Sequence, residues 1–242
     1  MGLSAARASG RRAVSTAPSA MDVYSTRLSL VTKSCSDLRG HPRAAAATLS
    51  CVNIDSVFLD RDGVINEKPA EGGYVTSWGD FHFVPGALDA LSALHRSGIR
   101  LIVITNQRGV ARGTIKREML VEIHERLVAE CDIAGARIEA IYVCEHETGR
   151  CECRKPAPGL LLRAKSEYPD IDFARSLVVG DSASDLEAGW RLGCQLMLLA
   201  HGERLDAEAR RLSEAGVITF GVAPSLADAV EAILRTRKGI AR

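Results

Sequence analysis

No stretch of this sequence is apolar for long enough to cross a bilayer or to form the core of a secretory signal peptide. That absence argues against a membrane-spanning helix and points to a soluble, cytoplasmic protein. Clustered positive charge is missing from the body of the chain. The formal net charge is +1 over 242 residues, but residues 1–53 hold seven Lys/Arg against two Asp/Glu, leaving 24 against 28 in the remainder. A mildly acidic body excludes sequence-independent nucleic-acid binding, which runs on basic patches. A paired set of cysteines is missing too. There are seven, an odd number, with no secretory signal, and Cys151 and Cys153 are too close to cross-link easily. A disulfide framework is therefore ruled against in favour of metal binding. No internal repeat is visible.

Acidic residues are absent from the start, where the first is Asp22 and the text MGLSAARASGRRAVSTAPSA is rich in Ala, Arg and Ser. Three readings of residues 1–53 stand side by side: a disordered tail, an organelle transit-like segment, or upstream sequence ahead of a true start at Met21 or later. The folded domain is expected over residues 54–242.

What is present from residue 54 onward is an alternation of short apolar runs with longer amphipathic ones. Val57-Phe58-Leu59, Leu101 to Ile104, Ile138 to Val143, Leu177 to Val179, Gln195 to Leu199 and Val217 to Phe220 read as strands. A helix opens after Pro85-Gly86, with Leu88, Leu91 and Leu94 on one face, and closes at Gly98. Thr114 is the expected N-cap of a second, carrying Leu120, Ile123, Leu127 and Cys131. Further helices are expected from Pro158, over Ala183 to Leu192, and after a Ser225 cap. The β-α-β-α rhythm predicts an α/β fold, a doubly wound, Rossmann-like parallel sheet with helices on both faces.

Such sheets bind ligands beyond the carboxyl ends of their strands, and the polar residues gather there. Asp60 and Asp62 follow the first strand in FLDRDG. Thr105, Asn106 and Gln107 follow the second, Lys155 the third, and Asp181, then Asp185, the fourth in VVGDSASD. A bare D-x-D-G also serves merely to solvate a strand end, a lone lysine is often just solvated, and Asp185 also suits the first turn of a helix. Together, however, the set has a chemistry. A carboxylate attacks phosphorus to form an aspartyl-phosphate. Mg²⁺ prefers carboxylate and phosphate oxygens, and a lysine meets phosphate charge.

With these residues in order the chain resembles the haloacid dehalogenase superfamily over about residues 54–200. FLDRDGVIN, GYVTSWGDFHFVPG, ITNQRGVARG and CECRKPAPG look like its zinc-containing branch of heptose-bisphosphate and histidinol-phosphate phosphatases. The resemblance implies a capless fold and a Mg²⁺-dependent phosphatase, a phosphoric monoester hydrolase working through an aspartyl-phosphate. The implied reaction is removal of the 7-phosphate of D-glycero-D-manno-heptose 1,7-bisphosphate, the alternative being histidinol phosphate or another small phosphomonoester. Carried over by position, Asp60 is the nucleophile and Asp62 the general acid/base. Asp60, the Asp62 backbone carbonyl and Asp181 hold Mg²⁺. Thr105, Asn106 and Lys155 grip phosphate or substrate. Val64 stands where many superfamily members have Thr. A monomer acting on a small phosphorylated sugar, without nucleic-acid or membrane partners, is expected.

CEHETGRCECRKP, residues 144–156, then has a reading. Cys144, His146, Cys151 and Cys153 make a Cys₃His set, the donor set of a closed structural zinc site. Their C-x-H-x4-C-x-C spacing is not that of common zinc fingers. The loop ends at Arg154-Lys155, so zinc would pin the segment that delivers the lysine. Arg154 is expected at the substrate, since a guanidinium suits a second phosphate or sugar hydroxyls. Tyr74 and Trp78 either face substrate or close the core edge. Cys35, Cys51, Cys131 and Cys194 are expected in core or tail, and His82, His95 and His124 as structural or exposed residues.

Overall fold

Six β-branched or leucine-rich segments pair in parallel in the order β3-β2-β1-β4-β5-β6. The computed structural model describes residues 54–70, 72–217 and 220–240. The tail reading of residues 1–53, with Cys35 and Cys51, lies outside these. The strands are β1 (Ser56–Leu59), β2 (Arg100–Asn106), β3 (Ile138–Cys144), β4 (Ser176–Gly180), β5 (Gln195–Leu199) and β6 (Gly221–Ala223). The helices are α1 (Ala87–Arg96), α2 (Arg117–Ile133), α3 (Gly159–Glu167), α4 (Ala183–Trp190), α5 (Gly202–Glu214) and α6 (Leu226–Ile240).

Strand side chains alternate between two cores, which is why the strands read as unbroken apolar runs. Val57, Leu59, Leu101 and Val103 face one core with Leu91, Leu94, Ile123, Leu127 and Val230 of α1, α2 and α6. Phe58, Ile102 and Ile104 face the other with Leu160, Leu186 and Leu212 of α3, α4 and α5. Val64 is fully buried in the first core. Sequence order reverses between β1 and β4, and Leu59 is in register with both Val103 and Val179. Strands β1 and β4 therefore end within one residue of each other at the switch point, the crevice where doubly wound sheets bind ligands, while β2 runs three residues further, from Ile104 to Asn106, and carries Thr105 and Asn106 over it.

Three expectations change. Helix α2 begins at Arg117 with Lys116 as N-cap, not Thr114. The Thr114 N–H is bonded to Gly109 O at 2.8 Å in the preceding turn. The last strand is Gly221–Ala223, not 217–220. Val217 instead closes α5, its N–H bonded to Leu212 O at 2.8 Å, and residues 218–219 lie outside the described ones. Apolar character was right but its cause was a helix end, not a strand. Helix α5 itself was not expected, because its buried side is only Glu208, Ala209 and Leu212. Ser225 does cap α6, its Oγ accepting from the Asp228 N–H at 3.2 Å. No helix among the described residues is long and apolar enough to cross a membrane.

Candidate active site

The turn after β1 folds back on itself. Val64, Ile65 and Asn66 all send their N–H groups to Arg61 O, at 3.4, 2.9 and 3.1 Å. Gly63 makes this possible at φ +90°, and a Cβ there would stand 2.3 Å from Asp181 Oδ2. Asp60 is held at the strand end by its own N–H on Val179 O at 2.9 Å. A cavity of about 320 Å³ opens above, lined among others by Asp60, Asp62, Thr105, Asn106, Lys155 and Asp181.

Lys155 is the hub. Its buried Nζ lies 2.7 Å from Asp60 Oδ1, 2.7 Å from Asp185 Oδ1 and 2.8 Å from Ile104 O. Burial pulls its pKa down, but the Asp185 and Asp60 carboxylates outweigh that and hold it above the ordinary value. Its backbone is clamped twice by Asn106, whose Nδ2 donates to Lys155 O and whose Oδ1 accepts from Lys155 N, both at 3.1 Å. Asp185 is in turn fixed by its capping box, Oδ2 accepting from Ser182 N and Oγ at 3.1 and 2.6 Å. Gly180 lets that helix start close in, since a Cβ there would fall 2.2 Å from Asp185 Cβ.

Asp60 sits among acids. Burial, with Asp185, Asp181 and Asp62 nearby, raises its pKa to about 7 against the pull of Lys155. One oxygen from each of Asp60, Asp181 and Asp185 falls within 4.8 Å of the others, a set of hard oxygens that fits Mg²⁺. Two cations unforeseen in the sequence already crowd Asp181: Lys68 Nζ at 2.7 Å and Arg204, which also meets its carbonyl at 2.7 Å.

Asp62 has the opposite environment. Burial alone would raise its pKa, but the Arg61 charge and hydrogen bonds from Asn66, Arg61 and Gln107 bring it below the ordinary value. The resting site thus presents a carboxylate at this position. Gln107 Nε2 reaches Asp62 Oδ2 at 2.8 Å and the buried Thr105 Oγ1 at 2.9 Å. Arg61, fully buried, points its Nη1 at His124 Nε2, 3.1 Å away. Neither Arg61 nor His124 stood out in the sequence. The only available signal for the histidine was its place on the apolar face of α2.

His124 gives the domain an acid sensitivity. Burial first, then the Arg61 charge, lowers its pKa from 6.5 to about 3, with Asp62 opposing. Between those values the unfolded chain binds a proton that the folded chain refuses, so stability is lost as pH falls below 6.5. At pH 5 the loss is about 2 kcal/mol. His124→Gln, which keeps an acceptor for Arg61, should lose less stability by about that amount between pH 7.5 and 5 in urea unfolding.

The second cluster lies in the loop after β3. Cys144 Sγ is 3.6 Å from Cys151 Sγ and 3.7 Å from His146 Nδ1; Cys153 Sγ is 3.3 Å from Cys151 Sγ and 3.2 Å from His146 Nδ1. Bonds of about 2.3 Å at tetrahedral angles put ligand atoms about 3.8 Å apart, so the four donors fit one tetrahedral metal ion. Cys131 and Cys194 are buried elsewhere, as expected. Arg154 lines the cavity, and its buried Nη1 has no hydrogen-bond partner among the described residues. Tyr74 also lines the cavity, while Trp78 stacks on Phe81 at 4.9 Å and closes the core edge.

A family model described as HAD-hydrolase-like matches residues 152–229. The D-glycero-beta-D-manno-heptose-1,7-bisphosphate 7-phosphatase of Vibrio cholerae is 35% identical over 192 residues, covering 76% of this chain and 98% of that one. The chain belongs to the heptose-bisphosphate phosphatase family. An alpha-anomer phosphatase of Mycobacterium tuberculosis is 43% identical over 132 residues, 54% of this chain and 69% of its own. The D,D-heptose 1,7-bisphosphate phosphatase of B. bronchiseptica, solved with magnesium and phosphate, is 32% identical with a TM-score of 0.65, covering 74% of this chain and 97% of that one. This family member is accordingly a phosphoric monoester hydrolase on the haloacid dehalogenase-like fold.

Proposed function

We propose that the protein removes the 7-phosphate of D-glycero-D-manno-heptose 1,7-bisphosphate, using Mg²⁺ at the aspartates and zinc at the Cys₃His loop. The observation that carries this is the convergence of Asp60, Asp62, Asp181 and Lys155 on one cavity with Arg154, whose buried Nη1 has no partner among the described residues, on its wall. A substrate with two phosphates answers both features. One is transferred at Asp60 and the other meets Arg154.

Asp62, a carboxylate at rest, first takes a proton from the incoming phosphate monoanion; Asp60 then attacks phosphorus, the bond from phosphorus to the sugar oxygen breaks, and Asp62 gives that proton to the departing oxygen. Asp62, now a carboxylate, takes a proton from water. The water oxygen bonds to phosphorus and the Asp60–phosphorus bond breaks, releasing phosphate. Lys155 stays against Asp60 throughout and offsets charge on the transferring group. Asn106 acts through Lys155 by fixing its backbone. Asp60, Asp181 and the Asp62 carbonyl would hold Mg²⁺, which supplies charge against the phosphate oxygens and favours ionised Asp60.

The test is phosphate release by the purified protein with Mg²⁺ and a panel: the α and β anomers of the bisphosphate, and histidinol phosphate. Release only from histidinol phosphate, or from none, sinks the reading. Arg154→Ala should raise KM for the bisphosphate about 10–100-fold with kcat little changed, the loss of one charged hydrogen bond. For a monophosphate the KM should move far less.

A further inference from the structure

Adjacent residues on an extended chain point to opposite sides, yet Arg61 wraps onto its neighbour Asp62. Its Nε reaches Oδ1 at 3.2 Å, and its Nη2 reaches Oδ1 at 2.9 Å and Oδ2 at 3.0 Å. The turn that gathers three N–H groups onto Arg61 O makes this possible. The guanidinium is wholly buried, with Phe81 5.9 Å from its carbon. Its remaining end, Nη1, meets His124 Nε2 at 3.1 Å. A guanidinium only donates, so Nε2 must offer its lone pair and the imidazole is neutral. A buried arginine with no access to the cavity has thus been given one charged partner and one neutral anchor.

We propose that Arg61 is a positioning residue for Asp62, locked in place by His124, and that it sets how well the enzyme expels poor leaving groups. This rests on the reading of Asp62 as the acid. Asp62 Oδ1 is held from the protein side by Arg61 and by the buried Asn66 Nδ2 at 2.9 Å. Oδ2, which Arg61 Nη2 also reaches at 3.0 Å, is held from the cavity side by Gln107, which has Thr105 Oγ1 as a second partner. Of the two oxygens only Oδ2 has a cavity-lining partner, so it is the one assigned to exchange the proton, and Arg61, gripping both oxygens, with Asn66 on Oδ1 keeps the carboxylate aimed while it does so. The order of carboxylate, guanidinium and imidazole reaches from the cavity to the buried face of α2 without any of the last two touching substrate.

Leaving-group dependence separates this role from a purely structural one. An alkyl phosphate such as the sugar substrate needs its departing oxygen protonated, whereas p-nitrophenyl phosphate leaves with little help. The ratio of kcat/KM on the two isolates the first transfer from the later water step, in which Asp62 serves both substrates alike. In the full chain with Mg²⁺, Arg61→Lys should lower kcat/KM on the alkyl phosphate about 10²-fold or more and on the aryl phosphate less than about 10-fold. His124→Leu should show the same skew, and His124→Gln should restore the ratio. If Arg61→Lys does not fold, the two His124 variants decide. Equal losses on both substrates, or an unchanged ratio in His124→Leu, overturn the proposal. Asp62→Asn is the reference. A selective alkyl loss there with none in the Arg61 and His124 variants leaves the acid standing and removes only the positioning role; no selective loss in Asp62→Asn removes both.

Discussion

Asp60→Asn should abolish turnover, with kcat at least about 10⁴-fold down in a phosphate-release assay. The substitution keeps the shape of the side chain and changes only its charge and nucleophilicity. An amide cannot form the acyl-phosphate, so the two-step route is closed rather than slowed. The same substitution should not cost stability. Asp60 is a buried carboxylate pushed up to about 7 by burial and by Asp185, Asp181 and Asp62. Lys155 keeps Asp185 at 2.7 Å when Asp60 is neutral. The variant's metal-free melting temperature should equal or exceed that of the wild type, the usual price of a functional acid cluster in reverse. Turnover above about one per cent of wild type in well-folded Asp60→Asn would remove Asp60 from the nucleophile's role.

How much of this was legible in the chain depends on the kind of signal each residue carries. The sheet was legible because buried parallel strands are apolar on both faces, and the positions after β1, β2 and β4 were legible because each apolar run stops at a polar residue on the edge where such sheets bind ligands. The Cys₃His cluster was legible because donors of that softness so close in sequence have few other uses. Helix α5 was not, since its fold depends on tertiary contacts of two apolar residues and on Glu208, whose Oε2 takes the Ala183 N–H at 2.7 Å. Arg61 and His124 were not, because 63 positions separate them and only the packing of α2 over the first turn brings them together. Lys68, from the loop after β1, and Arg204, from the first turn of α5, meet Asp181 for the same reason, with no motif of their own. A sequence shows residues that act near strand ends; it is nearly silent on those that act through another side chain.

Removing zinc from the proposed Cys₃His loop site should silence the enzyme without unfolding the sheet. The segment 145–158 joins β3 to α3 with no helix or strand of its own. Ordering its 14 residues costs roughly 14–28 kcal/mol at about 1–2 kcal/mol per residue. Its surface ion pairs, Arg108 and Arg112 to Glu147 at 3.4 and 2.8 Å and Arg117 to Glu145, join partly exposed side chains, and its one buried cation, Lys155, must itself be desolvated to meet Asp60 and Asp185. Pairs of that kind contribute about 0–1 kcal/mol each. The Asn106 clamp on Lys155 adds two hydrogen bonds, worth about 1 kcal/mol apiece. These do not cover the cost, whereas a structural zinc supplies about 10–16 kcal/mol. Lys155 lies only two residues past Cys153, so its hold on Asp60 and Asp185 goes when the loop goes. Cys151→Ser should therefore bring bound zinc well below one per chain by elemental analysis. It should lower kcat about 10²-fold or more, by loss of charge stabilisation on the transferring group. Far-UV circular dichroism should stay near that of the wild type, since the loop gives only Cys151 and Cys153 to the margin of one core and the rest of both cores lies outside it. Chelation followed by Mg²⁺ alone should reproduce the loss, and zinc should reverse it. Full activity in zinc-free protein supplied with Mg²⁺ would mean that the lysine is held by its own contacts and that the metal is incidental to catalysis.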